Sequence, residues 1–135
     1  MCLGARVDPF KNNLVAILDE IAPGAFDQLE KLASLPIDIR SRIVDELVQR
    51  ACTCQHVGNI YVSHNALLRI PSDLRASMLQ DAVTRTLDLD DEWEYRRLVE
   101  LLLEIAPQFV ERYLEIGRSS NVADVREAAE DFAKT

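Results

Sequence analysis

Two short stretches of this 135-residue chain carry side chains whose types and spacing could do chemistry. The first is Cys52-Thr53-Cys54-Gln55-His56, with His64 eight residues further on. Thiolate and imidazole are the donors that zinc takes. The spacing works against a site, because chelating cysteine pairs are separated by two to four residues and here one intervenes. On a helix the two sulfurs would point about 200° apart, so a metal needs an irregular backbone there. The competing reading puts Cys52 in a core and Cys54 at a helix end. A nucleophile–histidine–acid set would draw on the same residues, since His56 and His64 are the only histidines. No family-specific catalytic signature surrounds them. The chain therefore reads as a non-enzyme with no metal and no cofactor, and a metal or catalytic centre at Cys52, Cys54, His56 and His64 stands as an alternative.

The second stretch is Asp88-Leu89-Asp90-Asp91-Glu92-Trp93-Glu94-Tyr95. Five of the seven residues from Asp88 to Glu94 are acidic, beside the only tryptophan of the chain. Acids at a helix start meet free N–H groups and the positive end of the dipole. One or two suffice for that, and five repel one another. With aromatic area among them, the same residues suit a basic protein partner, the acids steering and the rings anchoring. Asp88, Asp90, Asp91, Glu92, Trp93, Glu94 and Tyr95 are the candidate protein-binding residues. The later run of Glu94, Arg97, Glu100, Glu104, Glu111 and Glu115, spaced three or four apart, reads as a solvated face laced with ion pairs.

The elements that must position these residues are helices. Phe10, Leu14, Ile17, Leu18 and Ile21 share one helical face, and Pro23-Gly24 stops that helix. Phe26, Leu29, Leu32 and Ala33 mark a second, and Ile39, Ile43, Val44, Leu47, Val48 and Ala51 a third. Leu74, Met78, Leu79, Ala82 and Val83 mark another, opened by Pro71 or Ser72. The helix opened by Asp90 and Asp91 runs to Ala106 and is expected to be the central, most buried one. A short helix over Phe109–Leu114 is expected to end at Gly117, and Val122–Phe132 carries the last. Residues 54–63, rich in β-branched and aromatic side chains without a strand partner, read as an irregular loop before a short helix over Asn65–Arg69.

Composition sets the outer limits. Apolar residues make up 48% of the chain, enough for a core, and the length fits one domain. Fifteen Lys and Arg against 23 Asp and Glu give a net charge of −8, which argues against nucleic acid or an anionic membrane as partner. Three cysteines, two of them one residue apart, make no disulfide framework and suit a reducing, cytoplasmic compartment. No apolar leader is visible near the N-terminus, and no apolar run approaches the roughly 20 residues of a membrane helix.

The sequence also echoes itself. Leu35-Pro36-Ile37-Asp38-Ile39-Arg40 returns as Ile70-Pro71-Ser72-Asp73-Leu74-Arg75 at an offset of 35, and Glu20-Ile21-Ala22-Pro23 returns as Glu104-Ile105-Ala106-Pro107. A third Asp-x-Arg lies in Asp124-Val125-Arg126, ahead of Glu127-Ala128-Ala129. With these turns the chain resembles HEAT-type repeats over roughly residues 18–134. The resemblance implies an all-α, right-handed stack of seven or eight antiparallel helices, an α-solenoid occupying residues 1–135 as one domain, with 1–8 extended or disordered. It also implies a ladder between repeats made by Asp38, Arg40, Asp73, Arg75, Asp124 and Arg126. Separate helix caps with surface arginines are the alternative. The expected function is a non-catalytic protein-binding module, possible kinds being an acidic immunity or antitoxin-type protein that masks a basic partner, or a scaffold or regulatory adaptor.

Overall fold

A computed structural model describes residues 8–134. The expectation for residues 1–8 therefore lies outside the described residues except at Asp8, whose backbone is extended and whose carboxylate caps the first helix by accepting the Phe10 and Lys11 N–H groups. Seven α-helices follow: α1 (Pro9–Ile21), α2 (Ile37–Thr53), α3 (Val57–Arg69), α4 (Ser72–Thr86), α5 (Glu92–Ile105), α6 (Val110–Arg118) and α7 (Ala123–Ala133). A ten-residue 3-10 segment, Ala25–Ser34, joins α1 to α2, and a single 3-10 turn, Pro107–Phe109, leads into α6. Among the described residues there is no strand, and the all-α class is established.

Phe26, Leu29 and Leu32 explain the 3-10 segment. They recur every three residues, the repeat at which 3-10 side chains eclipse, and Leu29 and Leu32 are fully buried by it. Gln28 and Lys31 lie off helical geometry, which keeps the segment in single turns.

Two clusters form the interior. In the larger, α2 is the hub, packing against α1, α3, α4, α5 and the 3-10 segment through Ile43, Val44, Leu47, Val48, Ala51 and Cys52. The smaller joins α5, α6 and α7 through Tyr95, Val99, Leu114, Val125, Ala128 and Ala129. Helix α5 serves both: Leu98, Leu101, Leu102 and Ile105 face the first, Tyr95 and Val99 the second. It was expected to be the central helix, and it shares the centre with α2. Each Leu fully removed from water contributes about 1.5–3 kcal/mol.

Two expectations need correction. Residues 54–63 are a loop only as far as His56, and α3 starts at Val57. No Ser, Thr or Asp caps it. The His56 imidazole Nδ1 accepts the Gly58 N–H at 3.0 Å, and the Phe10 ring stacks on His56 with centroids 4.3 Å apart. A Cβ on Gly58 would collide with that same Phe10 ring. Tertiary contact with α1 thus builds a helix start that local propensity disfavours. Gly117 does not end α6 either. It lies inside the helix, where a Cβ would strike the Tyr95 ring, so its role is close approach of α6 to α5.

The repeated turns act alike. Pro36 and Pro71 each occupy the N-cap, with φ −55° and −50°. Arg40 Nη1 donates to Leu35 O and Ala33 O at 3.3 and 3.1 Å. Arg75 Nη1 donates to Ile70 O and Leu68 O, the equivalent positions, at 2.7 and 3.3 Å. Arg126 Nη1 donates to Ser120 O at 2.8 Å. These arginines satisfy carbonyls left open where the preceding segment ends. Their described partners are local backbone oxygens, which fits the helix-cap alternative and not an Asp–Arg ladder.

Candidate protein-binding surface

The segment Asp88–Glu94 folds as an acid-rich helix start. Asp91 is the N-cap of α5, accepting the Glu94 N–H at 3.0 Å. Glu94 reaches back to accept the Asp88 N–H at 3.2 Å, close to the reciprocal arrangement of a capping box. Asp88 accepts the Asp90 N–H at 3.0 Å, and Asp90 accepts the Ser120 hydroxyl at 2.8 Å, tying the segment to the turn before α7. Glu92 pairs with Arg96 at 2.7 Å. All five acids therefore have structural work, more than the one or two that a helix start requires.

The two aromatics of the segment separate. Trp93 is 45% exposed, with the Arg97 guanidinium 4.2 Å from its ring centroid. Tyr95, expected at the binding surface, is fully buried. Its hydroxyl donates to Tyr113 O at 2.8 Å, and its ring packs against Gly117. Burial pushes its phenol up to about 12. The correction follows from helical geometry: Tyr95 shares a face with Leu98, Val99 and Leu102, and Trp93 turns away from it.

The charge around the segment is lopsided. From Asp88 to Lys134 there are thirteen Asp and Glu against six Lys and Arg, so about a third of the chain holds seven of its eight net negative charges. Guanidinium groups are shared among them. Arg118 contacts Glu111, Glu115 and Glu130, and Arg96 contacts Glu92 and Asp131. These hydrogen bonds to carboxylates raise both arginines. Exposed Asp124 and Glu127 have no ion-pair partner among the described residues. An open groove of about 490 Å³, lined by Asp90, Glu115, Ile116, Ser119, Ser120 and Asn121, lies beside the acidic segment. Ile116 adds exposed apolar area there, at 39%, and Val122, 36% exposed, follows Asn121 in the chain. Of the groove residues only Asp90 was a candidate from the sequence; Glu111 and Glu115 were read there as an ion-paired solvated face, and Ile116, Ser119, Ser120, Asn121 and the carboxylates of α7 were missed. A running charge count would have found the acidic third, whereas the groove needs the approach of α5 and the α6–α7 turn.

The four residues of the alternative centre are not gathered. Cys52 is in the core, where burial raises its thiol far above the usual range, which keeps it protonated. Cys54 is the C-cap of α2. His56 is committed to Gly58. His64 Nδ1 lies 2.7 Å from Glu104 Oε2, and its Nε2 is enclosed with no hydrogen-bond partner among the described residues. Among the described residues no three His, Cys, Asp or Glu side chains converge on a cation position. No helix of the described residues is long and apolar enough to cross a membrane.

Compared with known proteins, the chain matches no family model, no curated protein and no solved structure. The class is all-α.

Proposed function

We propose that this chain is a non-catalytic, cytoplasmic protein-binding module whose acidic third docks a basic protein, in the manner of an immunity or antitoxin-type protein. The observation that supports it best is the concentration of net charge between Asp88 and Lys134, bordering a groove with exposed Ile116. Surplus carboxylates around one guanidinium create a negative field that speeds encounter with a cationic surface. Trp93, Ile116 and Val122 supply apolar area to hold the partner once it arrives. Nucleic acid and anionic membranes are disfavoured by the same field.

A second reading is an adaptor built as an antiparallel, right-handed, HEAT-like solenoid. The observation behind it is the repeated turn geometry at Arg40 and Arg75, offset by 35 residues, which supports an internal repeat although its arginines cap locally rather than form a ladder.

Affinity capture from source cells tests the first reading, with the chain beside a Glu115→Lys/Glu127→Lys variant. Both positions are exposed and neither is a helix cap. The expected result is a stoichiometric basic protein retained by the unchanged chain and lost by the variant. Identical captured sets would overturn the reading.

A further inference from the structure

The 18 residues from Ala51 to Leu68 contain no Asp, Glu, Lys or Arg, in a chain that is 28% charged. Helix α3 occupies most of this run, and its outer face is apolar. Val57, Tyr61 and Leu68 are 69%, 64% and 42% exposed. Their spacing of four and seven residues places them within about 40° on the helix, a continuous stripe left exposed among the described residues. Exposed Asn65 completes the row. Beside it opens a cleft of about 290 Å³ lined by Phe26, Tyr61, Val62 and Ala66, with Asp8, Lys11 and Arg69 at its rim.

We propose that this face of α3 is the contact between two copies of the chain. The distribution of charge selects that occupant. Two copies, each carrying −8, repel one another most through their acidic thirds. The uncharged face of α3 lets two copies meet without that penalty. A two-fold interface must be self-complementary, and a neutral apolar stripe meets that condition. The rim satisfies it as well, since Lys11 and Arg69 stand with Asp8 and Glu30 and opposite signs can meet across the axis. Arg69 is held in place by two 2.8 Å hydrogen bonds to Glu30, with its guanidinium 4.9 Å from the Phe26 centroid. The stripe is short, so the association is weak and depends on concentration.

The test is the mass of the chain in solution by sedimentation equilibrium, from about 1 μM to about 500 μM, a span that brackets small interfaces. The expected result is a shift from 15.3 kDa toward twice that mass, strengthened by added salt because screening removes the repulsion. Tyr61→Glu and Leu68→Glu, each introducing a like charge at the axis, are expected to weaken dimerisation ~30-fold or more while leaving the melting temperature of the monomer unchanged. Ile37→Glu, at a residue 67% exposed on α2, should leave the dimer intact. So should Glu115→Lys/Glu127→Lys, which separates this proposal from docking at the acidic third. A mass of 15.3 kDa at every concentration would overturn it. So would a dimer that survives both α3 substitutions.

Discussion

The cluster around α2 and the cluster between α5, α6 and α7 solve the same problem with different materials. The first interleaves large aliphatic side chains from six helical elements, and its surroundings are nearly balanced in charge. The second is small, and it closes on one large ring. Tyr95 lies against Gly117, with Ala128 and Ala129 beside it, beneath a surface carrying most of the net charge. Small residues bring α6 and α7 close to α5, and closeness crowds their carboxylates onto shared arginines such as Arg118. The packing of the second cluster and its negative field are thus two sides of one arrangement. Stability resides mainly in the first region, and the proposed recognition in the second.

The difference can be broken from either side. The largest effect is expected in the first cluster. Leu102→Ala removes a fully buried side chain of α5 and should cost about 2–5 kcal/mol in a denaturant melt. A loss under about 0.5 kcal/mol would show that the larger cluster does not depend on α5.

Gly117→Ala should cost about 1–3 kcal/mol, since the new methyl meets the Tyr95 ring with Ala129 behind it, 3.0 Å away. The better helix propensity of alanine, about 1 kcal/mol, offsets only part of this. Hydrogen exchange sharpens the test. Amides of α6 and α7 should exchange faster in the variant while those of α2 hold. Equal acceleration in both would make the two clusters one cooperative unit.

Tyr95→Phe is smaller, about 1 kcal/mol, because Tyr113 O loses its donor. It carries a pH signature too. The buried phenol is raised from its ordinary 10 to about 12, so the folded state holds this proton more tightly than the unfolded chain. Its contribution is fully present below pH 10 and is lost as pH rises from 10 to about 12. Wild-type stability should fall across that window, and Tyr95→Phe should flatten the fall.

Trp93→Ala comes last. The ring is 45% exposed and its described contact is the Arg97 guanidinium, so a loss of at most about 1 kcal/mol is expected in thermal melts. Unfolding of this variant would place Trp93 in the core of the second cluster.

Helices with a clear period were legible in the sequence. Leu14 and Leu18 of α1, the apolar face of α2, and Leu98, Val99, Leu101, Leu102 and Ile105 of α5 fall where their spacing puts them, whereas Leu103 of α5 is half exposed. What was hidden depends on contacts between distant residues. The start of α3 relies on Phe10 against Gly58 and His56, some 48 and 46 residues away. Gly117 looks like a helix stop until Tyr95 is known to lie against it. The acidic segment was visible, but its division was not. Asp91 and Glu94 serve the helix start, and Tyr95 belongs to the core. Charge reversal at Asp91 or Glu92, the direct test from sequence, would disturb the cap or the Arg96 pair along with any partner. Glu127, with no ion-pair partner among the described residues, is the cleaner position, and Glu115 is one of three carboxylates on Arg118, so its loss leaves that arginine paired with Glu111 and Glu130.

The central claim is that the acidic third of the chain steers a basic partner. Stopped-flow association with the captured partner, measured against ionic strength for the unchanged chain and for Glu115→Lys/Glu127→Lys, tests it most directly. The account predicts an on-rate that falls steeply with salt for the unchanged chain, and a slower rate with a flatter slope for the variant. Superimposable salt profiles for the two would contradict it.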